Sequence, residues 1–509
     1  PAVTKNRSAA RPLLPRPTTT IGVLIFCFKF EIFILYKIIE FTHNVIVSLQ
    51  QNFHTAIISD LHLSDAEPSR PKYKVRNKLW KKFKTKDFFI DQALVEFLDE
   101  IQQKANHTPI ELVLNGDIFD FDSVMALPEN PIFKLHWIET RRGLFPKEER
   151  SLFKVSVIIE EHAVFMAGLK KFVEHGNSLV IIPGNHDVEF HFEKVQKRFI
   201  DSLDLNLMDQ KRVRFVHWFY ISNNDTLIEH GHQQDPYCLC ENPLNPFLID
   251  YNELTIRLPF GNVACRHIMN GMGLFNPHVE TNYIMSLSEY LQFFFKYLMR
   301  TQPLIIWTWL WGSVATLFHV TRDRFSETFK PKNGMENIVN SAALKANTSP
   351  RVVRELQELF ATPAVQNPLL IAKELWLDRL FLFTSGLIFT FGVVYFLKHI
   401  FDISLSWIFV PILLTMPFFI FYARSVTSLV STYKEPDENL FAKQASVTGV
   451  NRIVYGHTHL PRHEFYGSIE HLNSGSWSPG FTDVNCTESV ERNNYIWISP
   501  NIENENQRK

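Results

Sequence analysis

Two residue pairs in this 509-residue chain have the type and spacing of metal chelators, Asp60-Leu61-His62 and His457-Thr458-His459. In an extended segment, residues i and i+2 fall on one side, so each pair can present two donor atoms together. Three short motifs lie between them: Asn115-Gly116-Asp117-Ile118-Phe119-Asp120, Gly184-Asn185-His186-Asp187 and His230-Gly231-His232. Singly, none decides anything, because a lone D-x-H or a surface histidine pair is more often a solvated loop than a ligand. All five in this order, each directly after a β-like run, are improbable as coincidence. Two divalent cations held about 3.5–4 Å apart need a bridging anion, which a carboxylate can supply. Imidazole nitrogen and carboxylate oxygen suit Mn, Fe or Zn, and a site free of cysteine argues against a structural zinc. The glycines at 116, 184, 231 and 456 are expected to admit the tight turns that aim ligands at the ions.

The elements that must position these groups follow from hydrophobic periodicity. Thr55–Ser59, Ile110–Leu114, Ser178–Ile182, Asp225–Ile228 and Asn451–Val454 read as buried strands. Phe88–Gln103 and Val157–His175 carry apolar residues at helical spacing. Strand, polar loop and helix in alternation predict an α/β fold with functional groups at the carboxyl ends of strands.

The motif series resembles that of the calcineurin-like metallophosphoesterases: D-x-H, G-D-x-x-D, G-N-H-D/E, a histidine, then G-H-x-H. The resemblance covers roughly residues 54–235 and 450–478. It implies a four-layer α/β/β/α sandwich with two divalent metal ions, Mn favoured over Fe or Zn, at one sheet edge. Carried over position by position, Asp60, His62 and His459 hold the first ion, and Asp117 bridges to the second. Asn185, His230 and His457 complete the second site. His186 serves as general acid or charge stabiliser at the leaving oxygen, oriented by Asp187. His230, directly after the strand-like Thr226–Ile228, is preferred to His232 as ligand, leaving His232 to support the site or face substrate. Asp120 and Asp122 are expected near the rim, with a turn-capping role as the alternative for Asp120.

Composition bounds the rest. Lys+Arg number 52 and Asp+Glu 53, a balance with no electrostatic invitation to nucleic acid. Five cysteines (Cys27, Cys238, Cys240, Cys265, Cys486) are too scattered for a disulfide framework and read as thiols of a reducing compartment. The 45 phenylalanines concentrate near 23–36, 290–320 and 376–422, which points to lipid contact. Ile21–Tyr36, interrupted by Lys29 and Glu31, reads as a surface-lying helix or weak anchor. Leu380–Leu397 and Leu405–Tyr422 have nearly no charge and about the ~17–25 residues needed to span a bilayer. Joined by Lys398–Ser404, they suggest a membrane hairpin, the alternative being buried helices of a second globular domain. Pro303–Val320, with three tryptophans and the preceding Tyr290–Tyr297, is expected at the headgroup interface. The expected organisation is an N-terminal segment (1–50), a core (51–285), a helical insertion with the hairpin (286–445), a closing core segment (446–500) and a polar tail (501–509).

Substrate class follows from departures within the family. Protein Ser/Thr phosphatases carry Arg-Gly after the second motif, whereas Phe121-Asp122 follows Asp120 here. Asn115–Asp122 is more similar to bacterial UDP-2,3-diacylglucosamine pyrophosphatase-like enzymes, which act on a lipid-linked pyrophosphate at a membrane surface and lack such a long insertion. The expectation is a membrane-associated phosphoesterase acting on a phosphodiester or pyrophosphate, with an amphiphilic substrate and membrane lipid as partners. No nucleic acid or obligate protein partner is expected, and the catalytic half is placed on the cytoplasmic side. Alternatives are a tethered hydrolase of nucleotides or soluble phosphodiesters, and a silent scaffold, which the complete ligand set disfavours. A transporter is disfavoured because the hairpin runs lack intramembrane charge. Arg257, Arg266 and His267 are expected as solvated loop residues, with a phosphate clamp as the alternative.

Overall fold

The computed structural model describes residues 53–66, 86, 89–270, 305–331, 334–426, 438–481, 489–490, 493–500 and 508. The expected N-terminal segment, the run Tyr290–Tyr297 and most of the polar tail lie outside the described residues. Ten strands build two five-stranded sheets. In chain order they are β1 (His54–Ile58), β2 (Ile110–Asn115), β3 (Ser178–Ile182), β4 (Val213–Phe215), β5 (Phe219–Ser222), β6 (Thr226–Glu229), β7 (Arg452–Tyr455), β8 (Arg462–Tyr466), β9 (Ile469–Asn473) and β10 (Ile496–Ile498). The first sheet has the order β10-β1-β2-β3-β4, parallel except for β10. The second has the order β8-β9-β7-β6-β5, with β7 parallel to both β6 and β9 and antiparallel strands at the edges.

Aliphatic strings such as Leu112-Val113-Leu114 and Leu179–Ile182 are buried on both faces, as parallel strands between two apolar layers must be. Ile57, Val113, Val180 and Ile182 of the first sheet meet Tyr220, Ile228 and Val454 of the second, so the sheets stack face to face. Helices α1 (Asp91–Ala105), α2 (Glu148–Glu161), α3 (Ala163–Glu174) and α4 (Glu193–Ser202) cover the outside of the first sheet. In α1, Leu94, Phe97, Leu98 and Ile101 recur at i, i+3, i+4 and i+7 and form its buried stripe. The single helical stretch expected over Val157–His175 instead belongs to two helices that break at His162. The buried ring of His162 bonds Asp91 Oδ2 (2.8 Å) and donates to the Ser64 carbonyl (2.9 Å). Those bonds fix the break against α1.

Later in the chain come α5 (Ile305–Arg324), α6 (Gly334–Lys345), α7 (Pro350–Gln357), α8 (Leu377–Phe401), α9 (Phe409–Ser425) and α10 (Glu438–Thr448). Val339, Val353, Leu356 and Phe441 from α6, α7 and α10 pack on Phe219, Ile221, Leu227 and Ile453 of the second sheet. The result is a mixed α/β sandwich of four layers, and part of the expected insertion supplies its outer layer. Helix α8 and the segment Leu405–Ser425, which contains α9, span 25 and 21 residues, long and apolar enough to cross a membrane. They pair through the rings of Phe383 and Phe419, 5.5 Å apart. At their base Tyr422 Oη donates to Asp378 Oδ2 at 2.8 Å. Phe389, Leu413 and Phe421 stand exposed on their outer surfaces. An apolar exterior of this kind supports membrane association.

Candidate binuclear metal centre

Each motif emerges from the carboxyl end of a strand. Asp60 and His62 follow β1, Asp117 follows β2, Asn185 and His186 follow β3, His230 follows β6, and His457 and His459 follow β7. Five of these residues hold left-handed backbone: Asp60 (φ 56°), His62 (48°), Asp117 (51°), His457 (66°) and His459 (58°). Each such non-glycine residue costs on the order of 1–3 kcal/mol and persists only where its surroundings over-determine it. Here the loops brace one another. Asp60 N donates to Gly116 O (3.1 Å), His62 N to Asp117 O (2.9 Å), and Gly456 N to His230 O (2.9 Å). Gly116 and Gly231 take the positive φ expected of tight turns, 80° and 101°. Gly184 and Gly456 serve differently, by close approach. A Cβ on Gly456 would lie 2.6 Å from Ser59 Oγ, and one on Gly184 would lie 2.6 Å from the backbone N of Asp117.

Among the described residues, the motif donors form one group of Asp60, His62 and His459 and another of Asp117, His230 and His457, and Asp117 also lies with His62 and His186. In one, His459 Nε2 lies 3.2 Å from both Asp60 Oδ1 and His62 Nε2. In the other, His230 Nε2 lies 3.2 Å from Asp117 Oδ2, and His457 joins both. Asp117 Oδ1 accepts from His186 N (2.7 Å). That bond leaves Oδ2 to face His230 and, at 3.8 Å, His62. One oxygen, rather than both, thus fronts the two groups. Asp60 Oδ1, Asn185 Oδ1 and His230 Nε2 are buried without a hydrogen-bond partner. Such orphaned atoms are costly unless a ligand satisfies them, so the nitrogen and oxygen donors fit divalent cations.

Electrostatics agrees with that use. Burial opposes ionisation of Asp117, but His230 and His186 outweigh it and hold the carboxyl well below its usual range. Burial pushes His62 down to about 4, leaving it neutral as a ligand must be. His230 resists burial because Asp117 and Asp60 face it, and its pKa rises to about 9 in the metal-free protein. A bound cation would replace that proton. The Nδ1 of His230 donates to Asn115 O (2.9 Å), which assigns the tautomer and leaves Nε2 for an ion. His232 is buried behind it, ring centroids 5.4 Å apart.

His186 and its neighbours differ from expectation. Nδ1 of His186 faces Asp120 Oδ1 at 3.2 Å and Asp122 Oδ2 at 3.8 Å. Asp187 bonds backbone instead, accepting from Gly184 N (2.6 Å) and Ile118 N (2.8 Å), so it braces two motif loops rather than orienting the ring. Asp120 and Asp122 are buried, not at the rim. Asp120 Oδ1 also accepts from Ser123 N (3.0 Å), so it caps the turn and faces His186 together. Asp122 is held by Asn262 Nδ2 (2.6 Å) and Arg266 Nη2 (3.1 Å). Arg266 and His267 are therefore buried rather than solvated, and Arg257 pairs with Glu241 at 2.7 Å.

Sequence reasoning missed Asp235 and Asn262. Asp235 Oδ2 lies 3.1 Å from His457 Nε2 and so helps to orient that ring. The nearby Cys238 lies with Asp235 and His457, and burial and Asp235 push its thiol well above the ordinary range. Asn262 Nδ2 also donates to Asn185 O (2.7 Å), tying a candidate ligand to the carboxylate beside His186. The only sequence signal for Asp235 is an acid three residues beyond His232, and Asn262 offers none.

Residues 53–255 match a family model described as calcineurin-like phosphoesterase. No curated protein matches the chain. The matched segment stops short of His457 and His459, yet β7 returns beside β6 and delivers both to the same centre. Residues 53–255 are thus similar to calcineurin-like phosphoesterases, and the described chain forms a mixed α/β, metallophosphoesterase-like sandwich.

Proposed function

We propose that this protein is a membrane-associated, binuclear metal-dependent phosphoesterase that hydrolyses a phosphodiester or pyrophosphate bond of an amphiphilic substrate. The observation that carries the reading is the meeting of two donor groups, Asp60–His62–His459 and Asp117–His230–His457, with Asp60 Oδ1 and His230 Nε2 buried and without hydrogen-bond partners. Asp60, His62 and His459 would hold one ion, Asn185, His230 and His457 the other, and Asp117 both. Two divalent cations, Mn the favoured metal, supply an activated water and neutralise charge on the phosphoryl oxygens. His186 acts at the leaving-group oxygen. With Nδ1 on Asp120, its Nε2 is the nitrogen available to give up a proton there. Asp187 keeps the loops of Asp117 and His186 in register, so its contribution is positional.

The paired apolar helices favour a substrate met at a bilayer. Domain organisation follows the same reading, with a core from 51–285 and 446–500 and an insertion (286–445) that lends the sandwich a layer and sends a hairpin across the membrane. Motif order requires an even number of crossings between His230 and His457, which a two-helix hairpin satisfies. The cytoplasmic side is our placement for the catalytic half, supported by the free thiols of Cys238, Cys240 and Cys265.

The test is hydrolysis by the full chain in detergent with Mn, over lipid-linked pyrophosphates, lipid phosphodiesters, nucleotides and phosphomonoesters. Metal-dependent turnover highest on a lipid-linked diester or anhydride supports the proposal. A nucleotide as best substrate would replace the lipid part of it. No metal-dependent turnover on any member would overturn it.

A further inference from the structure

Helix α5 buries several polar groups and exposes several large apolar ones. Its inward side, against the catalytic core, carries Ser313 and Thr316, both 0% exposed, and Asp323, 8% exposed, alongside the apolar Leu317 and Val320. On its outward side Ile306 is 62% exposed, Trp307 65%, Val314 52% and Phe318 69%. A soluble helix has the reverse arrangement, polar out and apolar in. Apart from the buried Ser313 hydroxyl, which has no hydrogen-bond partner among the described residues, the inward polar groups are occupied. His319 Nδ1 meets His267 Nε2 at 3.0 Å, His319 Nε2 meets Asp323 Oδ2 at 3.2 Å, and Thr316 donates to Gly312 O at 2.8 Å. Gly312 lets the backbones close up, because a Cβ there would lie 2.7 Å from His267 O.

This helix stays on the catalytic domain along its length. Its middle packs on residues 260–269. Just past its end, Thr328 pairs with Leu248 in a small sheet of the same half. It therefore lies along the domain rather than leaving it to cross a bilayer. A loop from the candidate site meets it: Trp137, exposed on its outer side, packs edge-on against Trp311 at 5.7 Å. Asn270 Nδ2 closes the base of that loop on Asp122 O (2.8 Å) and Arg142 O (3.1 Å). Asp122 in turn stands 3.8 Å from His186.

From these observations we propose that the outer face of α5, with Trp137, rests in the headgroup–acyl boundary of a lipid bilayer and holds the metal centre beside the membrane surface. The proposal deepens, and rests on, the reading of the protein as membrane-associated. A bilayer is the occupant for two reasons. The helix Pro368–Glu374 packs on both α5 and α8, so α5 is joined through it to the apolar hairpin. Exposed Lys134 and Arg141 flank Trp137, a basic and aromatic rim suited to anionic headgroups. One consequence is substrate delivery from the bilayer plane, since the lipid-facing loop begins beside His186.

The full chain would be reconstituted into vesicles of phosphatidylcholine and phosphatidylglycerol, with the phosphatidylcholine brominated on its acyl chains. An environment-sensitive fluorescent amino acid would be introduced by codon suppression at Phe318, at Phe389 in the hairpin, or at exposed Leu207 on the far side of the core. All three sites are exposed, so the fold should survive, and circular dichroism checks it. The proposal expects lipid quenching at Phe318 and Phe389 and none at Leu207. Quenching at Phe389 without quenching at Phe318 would overturn this proposal and leave membrane association intact. A Phe318 probe shielded from aqueous iodide but unquenched by lipid would put protein there and also overturn it. Absence of quenching at Phe389 would remove the membrane reading itself.

Discussion

Replacing Gly184 by alanine adds one methyl group at the most crowded point of the candidate centre. The new Cβ would lie 2.6 Å from the backbone N of Asp117 and 2.9 Å from His230 Cδ2, and would also collide with the Asp117 carboxylate. Ordinary contact begins at 3.4 Å, so Asp117 or the Gly184 loop must move by about 0.8 Å. Neither gives easily. Asp117 sits at φ 51° with Oδ1 pinned by His186 N, and Gly184 N is bonded to Asp187. Overpacking of this kind costs about 1–3 kcal/mol of stability, which leaves a folded protein. A misplacement near 1 Å in a reacting geometry costs roughly 10²-fold in rate. G184A should therefore stay folded by circular dichroism, bind metal more weakly and hydrolyse an aryl phosphodiester about a hundredfold more slowly. Gly386, with no atom within 4 Å of a built Cβ, supplies the control, and G386A should match wild type. G184A with wild-type turnover and metal content would refute the reasoning.

Three other perturbations separate roles. His186→Ala should keep its metal but lose roughly 10²–10⁴-fold in turnover on alkyl substrates, the loss shrinking for a nitrophenyl leaving group. Lost metal would make His186 a ligand. Lys154 and Glu189 form a buried pair at 2.8 Å with both side chains 0% exposed, so Lys154→Met should destabilise by about 3–5 kcal/mol in urea unfolding. Pairing it with Glu189→Leu should recover most of that loss. Burial, then His319 and Arg266, press the pKa of His267 from 6.5 to about 2. Below pH 6.5 the unfolded chain takes a proton that the folded one refuses, so stability present above that pH falls by about 1.4 kcal/mol per unit on acidification. His267→Gln should flatten this slope, and an unchanged slope would remove His267 as its source.

The legible part of the fold was the part written in local runs. Ser178–Ile182 has the bounds expected of it, and the other four expected strands lie within one residue of β1, β2, β6 and β7. Parallel strands buried on both faces must be nearly continuous aliphatic runs, so they announce themselves. Edge strands do not. Arg462-His463-Glu464-Phe465-Tyr466 (β8) is half exposed, and β4 and β10 are three residues each. At the site, spacing within a motif was readable, while relations across the fold were not. Asp187 adjoins His186 in sequence, yet Asp120, 66 residues away, faces its ring. Asn262 is an ordinary residue type on a helical turn, and only tertiary closeness brings it to Asp122 and Asn185. Nor was the placement of α7 over the second sheet, which Val353 and Leu356 help to cover, legible in the sequence.

The most direct test of the account is the number of divalent ions bound per chain, measured by elemental analysis on Mn-loaded wild type and Asp117→Ala, with phosphodiester hydrolysis followed on the same samples. Asp117 Oδ2 faces His230 at 3.2 Å and His62 at 3.8 Å, one from each donor group, so the account predicts two ions in wild type. In the variant, metal content and turnover should fall together. Substantial hydrolysis by Asp117→Ala, or a wild type that is active with a single ion, would contradict it.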